Sequence, residues 1–300
     1  MIKVKITGSN GFVGVNLMKH LTAKSYHGES LNLRNTNWKS EIDFYSSAII
    51  HLAGKAHDLK NSSHPEEYFV INTKLTQELF DVFLESNCRD FIYFSSVKAV
   101  TDQTGDIVTE EMVTNPKTHY GQSKLQAEQY ILNRSLPQGK RVFIIRPSMI
   151  HGPGNKGNLN LLYQLISKSL PWPLGAFQNQ RSFCSIDNVY FVIQQILERE
   201  DIPSGVYNLA DDEALSTNEL IQIIAATTHK KARIFAVPKK IIYAIARLGD
   251  ILRLPLNTER LDKLTENFVV SNTKIKTVLG IEKLPTSAKE GLVKTISSFN

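Results

Sequence analysis

A glycine-rich turn at the start of the chain constrains the fold more than any other feature. The strand-like residues 2–7, IKVKIT, lead directly into GSNGFVG, after which apolar residues recur at the spacing of an amphipathic helix. Gly8, Gly11 and Gly14 thus lie three residues apart where a strand turns into a helix. Glycine permits a tight turn and close backbone approach, and the helix N-terminus offers free N–H groups to a pyrophosphate. The turn predicts a dinucleotide site.

Later segments repeat the alternation of strand and helix. Apolar runs at 48–53, 91–96 and 142–147 are typical of parallel strands buried on both faces, and helices are predicted at 65–87 and 118–134. The pattern predicts an α/β fold of Rossmann type, a doubly wound parallel sheet. Beyond it, less regular helices are predicted at 158–170, 186–199, 216–228 and 238–253. We therefore expect a dinucleotide-binding domain over 1–150 and a smaller mixed α/β substrate lobe over 151–300, with interleaved boundaries.

Composition excludes several classes of protein. Cys88 and Cys184 are too far apart in sequence for a disulfide framework or a zinc-type cluster, so we expect a reducing cytoplasm and no metal site. We expect no signal peptide, because the start of the sequence alternates and is rich in glycine, and the longest apolar runs are too short for a membrane span. Its net charge of +6 comes from scattered Lys and Arg, so we expect no nucleic-acid partner. The basic, apolar segment 238–253 fits either a membrane surface or an ordinary lobe helix.

Tyr120 and Lys124 lie four residues apart and hence on one face of a predicted helix. A phenol, with a pKa of about 10, is a poor base at neutral pH unless a neighbouring cation stabilises the phenolate. Lys124 is placed to supply that cation. Such a spacing often arises by chance. Ser95 and Ser96 support it, since they end a strand at the sheet edge where ligands bind in this architecture.

Six strings in the chain form a recognisable series: TGSNGFVG, HLAGKAHD, INTK, FSSVKAV, YGQSK and RPSMIHGPGN. In order and approximate spacing they resemble the extended short-chain dehydrogenase/reductases, the nucleotide-sugar epimerases and reductases, over nearly the whole chain. The resemblance implies a nicotinamide dinucleotide as cofactor. The cofactor residues that it implies are Gly8, Asn10, Gly11, Phe12, Val13, Gly14, Leu52, Ala53, Gly54, Asn72, Tyr120, Lys124 and Pro147.

The same resemblance implies roles at the reacting centre. Tyr120 exchanges a proton with a sugar oxygen that Ser96 holds, with Ser95 as the second choice for that serine. Lys124 binds the nicotinamide ribose and lowers the pKa of the tyrosine. In the second lobe, Arg181 resembles the family arginine that clamps the substrate diphosphate, and Asn158 is a weaker candidate for the same group.

One departure from the family bears on the choice between NAD and NADP. The family has two strands between its first helix and HLAG, but here only 29–34, ESLNLR, reads as one. If this is the first of the two, Asn32 replaces the usual acid and Arg34 can bind a 2'-phosphate. If it is the second, Asn32, Leu33 and Arg34 resemble the adenine-contacting segment. In both alternatives there is no carboxylate to bind the ribose diol of NAD and to repel the 2'-phosphate of NADP. This absence favours NADP over NAD.

The residues after Ser96 argue against dehydration, because family dehydratases carry an Asp-Glu pair where this chain has Val97 and Lys98. The strings FSSVKAV and PWPLGAFQNQRSF resemble the bacterial branch that makes 2-acetamido-2,6-dideoxyhexoses for surface polysaccharide. We expect NAD(P)-dependent reduction at C4 of a UDP-4-keto-6-deoxy-N-acetylhexosamine. The alternatives are a UDP-hexose or UDP-N-acetylhexosamine 4-epimerase and a non-catalytic cofactor sensor; the complete Ser/Tyr/Lys set disfavours the sensor.

The family also implies a homodimer, in which helices equivalent to 65–87 and 118–134 pair across the interface. Phe69, Phe80 and Ile131 are the apolar residues that either face a partner or belong to the core.

Overall fold

The computed structural model describes residues 2–24, 26–42, 46–55, 64–103, 105–155, 158–252 and 257–299, except for the side chain of Asn158. Its strands are β1 Lys3–Thr7, β2 His27–Leu31, β3 Ala48–His51, β4 Asp90–Phe94, β5 Arg141–Pro147, β6 Met149–His151, β7 Phe183–Ser185 and β8 Gly205–Leu209. Its α-helices are α1 Phe12–Ala23, α2 Pro65–Tyr68, α3 Leu75–Glu85, α4 His119–Leu132, α5 Asn158–Ser167, α6 Ile186–Glu198, α7 Thr217–Thr227, α8 Lys239–Leu252, α9 Thr258–Thr265, α10 Thr273–Leu279 and α11 Ala288–Ser297.

A six-stranded parallel sheet forms the centre of the described structure, in the order β2-β1-β3-β4-β5-β8. Every residue of β3 and β4 is buried, as continuous apolar strands covered on both faces should be. The strand order reverses between β1 and β3, and a crevice outside the carboxyl ends of the strands at such a reversal is where ligands bind in doubly wound sheets. The predicted Rossmann-type fold class is confirmed.

Separate apolar clusters cover the two faces of the sheet and fill the second lobe. Val4, Ile50 and Phe143 face one cluster, to which α6 contributes Val189 and Ile193. The opposite face packs against α3 and α4. The second lobe has its own core, built chiefly from α5, α7, α8 and α11. Both α6, which packs on the sheet, and β8, which is its edge strand, come from beyond residue 150.

Two local differences from the sequence prediction have physical causes, and the structure decides one alternative that the sequence left open. The predicted helix 65–87 is interrupted by a π-helical turn, Phe69–Lys74, between α2 and α3. Strand β2 ends before Asn32, because the side chain of Asn32 accepts a bond from the Arg34 N–H and turns the backbone. Phe80 and Ile131 are only 0% and 2% exposed and belong to the core, so they are not dimer contacts. Helices α9 to α11 were not predicted individually.

Helix α4 is joined to the sheet by a buried ion pair. Arg146 on β5 donates to both carboxylate oxygens of Glu128, at 3.0 and 3.1 Å from Nε and 2.5 Å from Nη2. Both side chains are 5% exposed or less. A buried ion pair adds little stability compared with well-packed apolar residues in the same place. Removing one partner, however, leaves the other charge buried and unpaired, which is strongly destabilising.

We expect Arg146→Met to lower the free energy of unfolding by about 3–5 kcal/mol, because it leaves Glu128 buried and uncompensated. The double variant Glu128→Leu/Arg146→Met should lose less than Arg146→Met alone, since no isolated charge remains. Urea unfolding of the single and double variants measures both values. A double variant whose loss equals the sum of the single losses would contradict this account.

Candidate active site

The glycine turn has the shape that a pyrophosphate requires. Gly8 has φ +68°, and a Cβ there would lie 2.6 Å from the Ala53 nitrogen. A Cβ on Gly14 would lie 2.3 Å from the Gly8 carbonyl oxygen. Gly11 starts α1 with no side-chain cap and no acidic residue in the first turn, so the first N–H groups of the helix face outward. The cradle and the uncapped helix N-terminus fit a dinucleotide, which Gly8, Gly11 and Gly14 would hold.

A directed hydrogen-bond chain fixes the strand ends beside this turn. Thr7 Oγ1 accepts from the Ala53 N–H at 3.1 Å and contacts His51 Nδ1 at 2.6 Å. His51 Nε2 lies 2.9 Å from Thr76 Oγ1, whose hydroxyl donates to the Asn72 carbonyl. The bonds leave His51 as the neutral Nε2–H tautomer. Burial, aided by the charge of Lys124, lowers the His51 pKa to about 3, so its role is to connect β1, β3 and the π-turn.

Asn72 binds the loop after β3 to helix α4. Its side chain is fully buried, accepts from the Lys55 N–H at 2.7 Å and donates to the Lys55 carbonyl. It also donates to Ser123 Oγ at 3.0 Å. The π-turn places Asn72 between these partners, and such single π-turns occur often at functional sites. Asn72 thereby sets the distance between the loop at Gly54 and the helix of Tyr120.

Ser96 and Tyr120 lie side by side at the crevice. The side chains hydrogen-bond, while Ser96 Oγ also accepts from the Lys98 N–H at 3.2 Å at the start of the 3₁₀ turn Val97–Ala99. Burial raises the pKa of Tyr120; the Ser96 bond opposes the shift and Tyr68 adds to it. The phenol is therefore protonated at neutral pH. The expected lowering of its pKa by Lys124 is not found here, because burial dominates.

Lys124 lies on the same buried face of α4, one turn beyond Tyr120. Its Nζ donates to the Phe94 carbonyl at 2.9 Å and lies 4.9 Å from the centre of the Tyr93 ring. A Cβ on Gly54 would lie 3.2 Å from Nζ, so the ammonium adjoins the loop after β3. Burial lowers the Lys124 pKa to about 8, against the opposing charge of Glu128. The residue thus stands between the reacting centre and the strand ends at the crevice.

Close backbone packing sets the start of α4. Thr118 caps the helix through its contact with the Gly121 N–H and donates to Asp102 Oδ1 at 2.8 Å. Asp102 also accepts from the backbone N–H groups of 117 and 118. A Cβ on Gly121 would lie 2.3 Å from the Lys98 carbonyl oxygen, so only glycine lets α4 approach the 3₁₀ turn this closely.

Arg181 lies at the edge of the second lobe, near Lys98. Its guanidinium donates to the Lys263 carbonyl at 2.7 Å and lies 3.6 Å from Glu266. Burial lowers its pKa, with Glu266 opposing. Lys98 Nζ lies 4.2 Å from the centre of the Phe268 ring, on the strand-like segment that pairs with Arg181. Glu266, the ion-pair partner of Arg181, also lines a cleft of about 500 Å³, together with Gln103, Gly105, Tyr243, Asp262, Thr265 and Asn267.

The end of β2 distinguishes the two alternatives for the cofactor-selecting strand. β2 pairs directly with β1. In dinucleotide-binding sheets the strand that follows the first helix takes this place beside β1. Asn32, Leu33 and Arg34 follow it, with Asn32 and Arg34 exposed. Ser30 hydrogen-bonds to Ser9 of the glycine turn at 2.6 Å. β2 therefore fits the first alternative, in which the single strand after α1 corresponds to the first of the family's two strands.

The other predicted residues take positions around the same crevice. Asn10 is exposed, Phe12 and Val13 are half-buried in the first turn of α1, and Leu52 donates its N–H to the Thr7 carbonyl. Pro147 is the last residue of β5 and pairs with Leu209. Ser95, 5% exposed, bonds through its N–H to Ile145. The side chain of Asn158 lies outside the described residues.

Several positioning residues carry no clear sequence signal. Thr7, Thr76, Asp102 and Gly121 are ordinary residue types whose partners are distant in sequence. Of these, only Gly121, inside the YxxxK string, could have indicated a close contact from the sequence, since glycine is unfavourable within a helix unless packing requires it. In the described part of the chain, no group of three or more His, Cys, Asp and Glu could hold a metal ion, and no helix is long and apolar enough to cross a membrane.

We expect Gly121→Ala to reduce turnover by about a hundredfold while cofactor binding is largely kept, since a displacement of about 1 Å at a reacting group has that effect. Overpacking should also lower the unfolding free energy by about 1–3 kcal/mol. Steady-state kinetics and cofactor fluorescence titration measure the two effects.

The matched control is Gly205→Ala, whose added Cβ would meet its nearest neighbour at 3.6 Å, an ordinary contact. Wild-type turnover in Gly121→Ala, or an equal loss in Gly205→Ala, would refute the role of this close approach.

Residues 4–210 match the family model described as the NAD dependent epimerase/dehydratase family. The chain is 30% identical to the UDP-glucose 4-epimerase of Vibrio cholerae, over 99% of this chain and 95% of the relative. It is 30% identical to the UDP-2-acetamido-2,6-beta-L-arabino-hexul-4-ose reductase of Pseudomonas aeruginosa, over 53% of this chain and 38% of that protein.

A solved structure, RMD from Pseudomonas aeruginosa complexed with NADPH, superposes with a TM-score of 0.74 at 21% identity, covering 99% of this chain and 98% of that one. At this identity the likeness shows the fold. The family match extends over more than half of the chain and includes the glycine turn, Ser96, Tyr120 and Lys124. The chain is therefore an enzyme of the NAD dependent epimerase/dehydratase family, and the two relatives named above are a nucleotide-sugar epimerase and a nucleotide-sugar reductase.

Proposed function

We propose that the protein reduces the C4 ketone of a UDP-4-keto-6-deoxy-N-acetylhexosamine, in the synthesis of a bacterial surface polysaccharide. The observation that carries the proposal is the hydrogen-bonded Ser96–Tyr120 pair at the crevice, with the phenol in its protonated form. A ketone that receives hydride needs a proton on its oxygen, and a protonated phenol supplies one. The reductase relative from Pseudomonas aeruginosa acts, by its name, on a sugar of this class.

In this mechanism, the nicotinamide supplies the hydride to C4 when it is bound. Ser96 holds the sugar oxygen by hydrogen bonding, and Tyr120 gives its proton to that oxygen as the alkoxide forms. Lys124, whose Nζ donates to the Phe94 carbonyl, would hold the nicotinamide ribose through its ammonium group. Arg181 and Lys98 lie near enough for their charges to interact, and they would supply positive charge to a substrate diphosphate.

The residues after Ser96 support redox chemistry without elimination. Val97 and Lys98 occupy the positions where an acid pair would act in dehydration, and Lys98 is engaged by the Asp102 carbonyl and the Phe268 ring. A lysine there adds positive charge and provides no carboxylate base.

Purified wild-type protein should oxidise NAD(P)H when it is given a UDP-4-keto-6-deoxy-N-acetylhexosamine, measured by absorbance and by NMR of the sugar product. Tyr120→Phe should lose turnover by at least about a hundredfold, since general acid catalysis typically contributes 10²–10⁴-fold, while it still binds cofactor. Full activity in Tyr120→Phe would exclude the mechanism.

The second candidate is a 4-epimerase acting on a UDP-hexose or UDP-N-acetylhexosamine, which the name of the Vibrio cholerae relative favours. An epimerase oxidises and re-reduces C4 with retained cofactor, so it needs no added NAD(P)H. Interconversion of UDP-N-acetylhexosamines by protein that purifies with tightly bound NAD would establish this candidate in place of the reductase.

NADP as the preferred cofactor is part of the proposal, and the end of β2 supports it. Arg34 is exposed just beyond the strand, and residues 30–34 contain no carboxylate. Glu29, the one acid of β2, is bound by Lys5 at 2.5 Å and Lys3 at 3.1 Å, and these bonds lower its pKa to about 2. An exposed arginine in this position suits a 2'-phosphate.

Arg34→Ala should raise KM for NADPH by at least about tenfold, the value of a charge-assisted contact of about 1.5 kcal/mol, and leave KM for NADH nearly unchanged. The matched control is Arg134→Ala, an exposed arginine just after α4 that pairs with Asp81 on α3. A wild type that prefers NADH, with no response to Arg34→Ala, would assign NAD instead.

A cytoplasmic location and a homodimer complete the proposal. Cys88 and Cys184 are buried free thiols, which suits a reducing compartment. Phe80 and Ile131 are in the core. The apolar residues of segments 65–87 and 118–134 that are available to a dimer partner are therefore Val70 and Leu132, which are 51% and 53% exposed. Light scattering on the purified chain distinguishes monomer from dimer.

A further inference from the structure

Helix α8 presents an apolar stripe to the surface of the second lobe. Ile242, Ala246 and Gly249 form its buried seam. On the adjacent flank, residues at i, i+4, i+7 and i+11 remain about half exposed. These residues are Ile241 at 50%, Ile245 at 47%, Leu248 at 51% and Leu252 at 57%, and we call them the α8 stripe. Ile251 and, before the helix, Phe235 add exposed apolar surface at 77% and 55%. An exposed, contiguous apolar patch of this kind marks an interaction surface.

Charge around the stripe selects the kind of partner. Residues 229–252 contain six Lys and Arg and one Asp, a net charge of +5 where the whole chain carries +6. Lys230, Lys231 and Arg233 are exposed just before the helix. Lys240 and Arg247, seven residues apart and exposed, border the stripe on a helical wheel. The positive charge of the protein is therefore concentrated around its most apolar exposed helix.

A second copy of this chain does not fit the surface. A two-fold interface places the same patch of both copies in contact, so two segments of charge +5 would meet. An apolar face bordered by Lys and Arg matches instead the arrangement of a helix that lies in the headgroup region of an anionic bilayer.

We propose that α8 docks the protein on an anionic membrane surface, with the α8 stripe inserted among the lipid headgroups and Lys240 and Arg247 at the phosphates. The helix also contributes Tyr243 to the wall of the cleft beside Arg181, and the Tyr243 ring packs on Phe177 at 5.9 Å. This surface is independent of the proposed reaction.

Vesicle co-sedimentation of the full chain tests the docking. Wild-type protein should bind phosphatidylglycerol-containing vesicles and bind pure phosphatidylcholine vesicles much more weakly, and added salt should release it. The stripe variant Ile241→Ser/Ile245→Ser/Leu248→Ser should bind the anionic vesicles at least about tenfold more weakly, since three apolar side chains no longer insert. The charge variant Lys240→Gln/Arg247→Gln should also weaken binding and reduce its salt dependence.

Control variants carry substitutions of the same kind elsewhere on the surface, two apolar residues in one and two lysines in the other. Ile107→Ser/Val113→Ser removes apolar residues that are 56% and 86% exposed, and Lys19→Gln/Lys289→Gln removes the same charge. All four variants should keep wild-type thermal unfolding and cofactor binding, since the substituted residues are exposed.

The proposal is overturned if wild-type protein does not bind anionic vesicles, or if the control variants lose binding as much as the stripe and charge variants. Self-association that the stripe variant abolishes, measured by light scattering without vesicles, would assign the stripe to a second copy and would equally overturn it. Vesicle binding with no reductase or epimerase activity would refute the proposed function and leave the docking intact.

Discussion

The seating of helix α4 against the carboxyl edge of the sheet is the constraint on which the site depends. One face of this helix carries Gly121 on the Lys98 carbonyl, Ser123 on Asn72, Lys124 on the Phe94 carbonyl and Glu128 on Arg146. Each contact is polar or tight, and each replaces the apolar packing usual for a buried helix face. Such contacts stabilise the fold less than apolar packing would, but they fix the rotation of α4 about its axis. The position of Tyr120 relative to Ser96 is thereby fixed.

The cofactor turn and the reacting centre are parts of one hydrogen-bonded structure. The chain from Thr7 through His51 to Thr76 reaches the Asn72 carbonyl, and the Asn72 side chain then reaches Ser123 on α4. Since His51 is buried and neutral, the chain does not titrate near neutral pH. The glycine turn and the phenol are therefore held at a fixed separation. Pre-organised distances of this kind are what hydride and proton transfer at one sugar carbon require.

Sequence reasoning predicted the sheet, which is confirmed, and it failed where contacts between distant residues decide the outcome. The Ser96–Tyr120–Lys124 set stays a prediction. Amphipathic periodicity predicted one helix over 65–87, yet Asn72 lies on a π-turn that no local pattern marks. The pair on α4 was expected to lower the tyrosine pKa through Lys124, but burial raises it, because burial is a property of the folded whole. Phe80 and Ile131 read equally well as interface or core, and the structure places both in the core.

The sequence by itself determined what is local: the alternation of apolar strands with helices, the glycines that make the turn, and the residue types able to exchange a proton. These follow from backbone conformation and side-chain chemistry within a few residues. Only the tertiary structure decided which strand pairs with β1, which residues hold α4 on the sheet, and which flank of α8 stays exposed. These depend on contacts between segments far apart in the chain, where burial, charge pairing and close backbone approach are set by the whole fold.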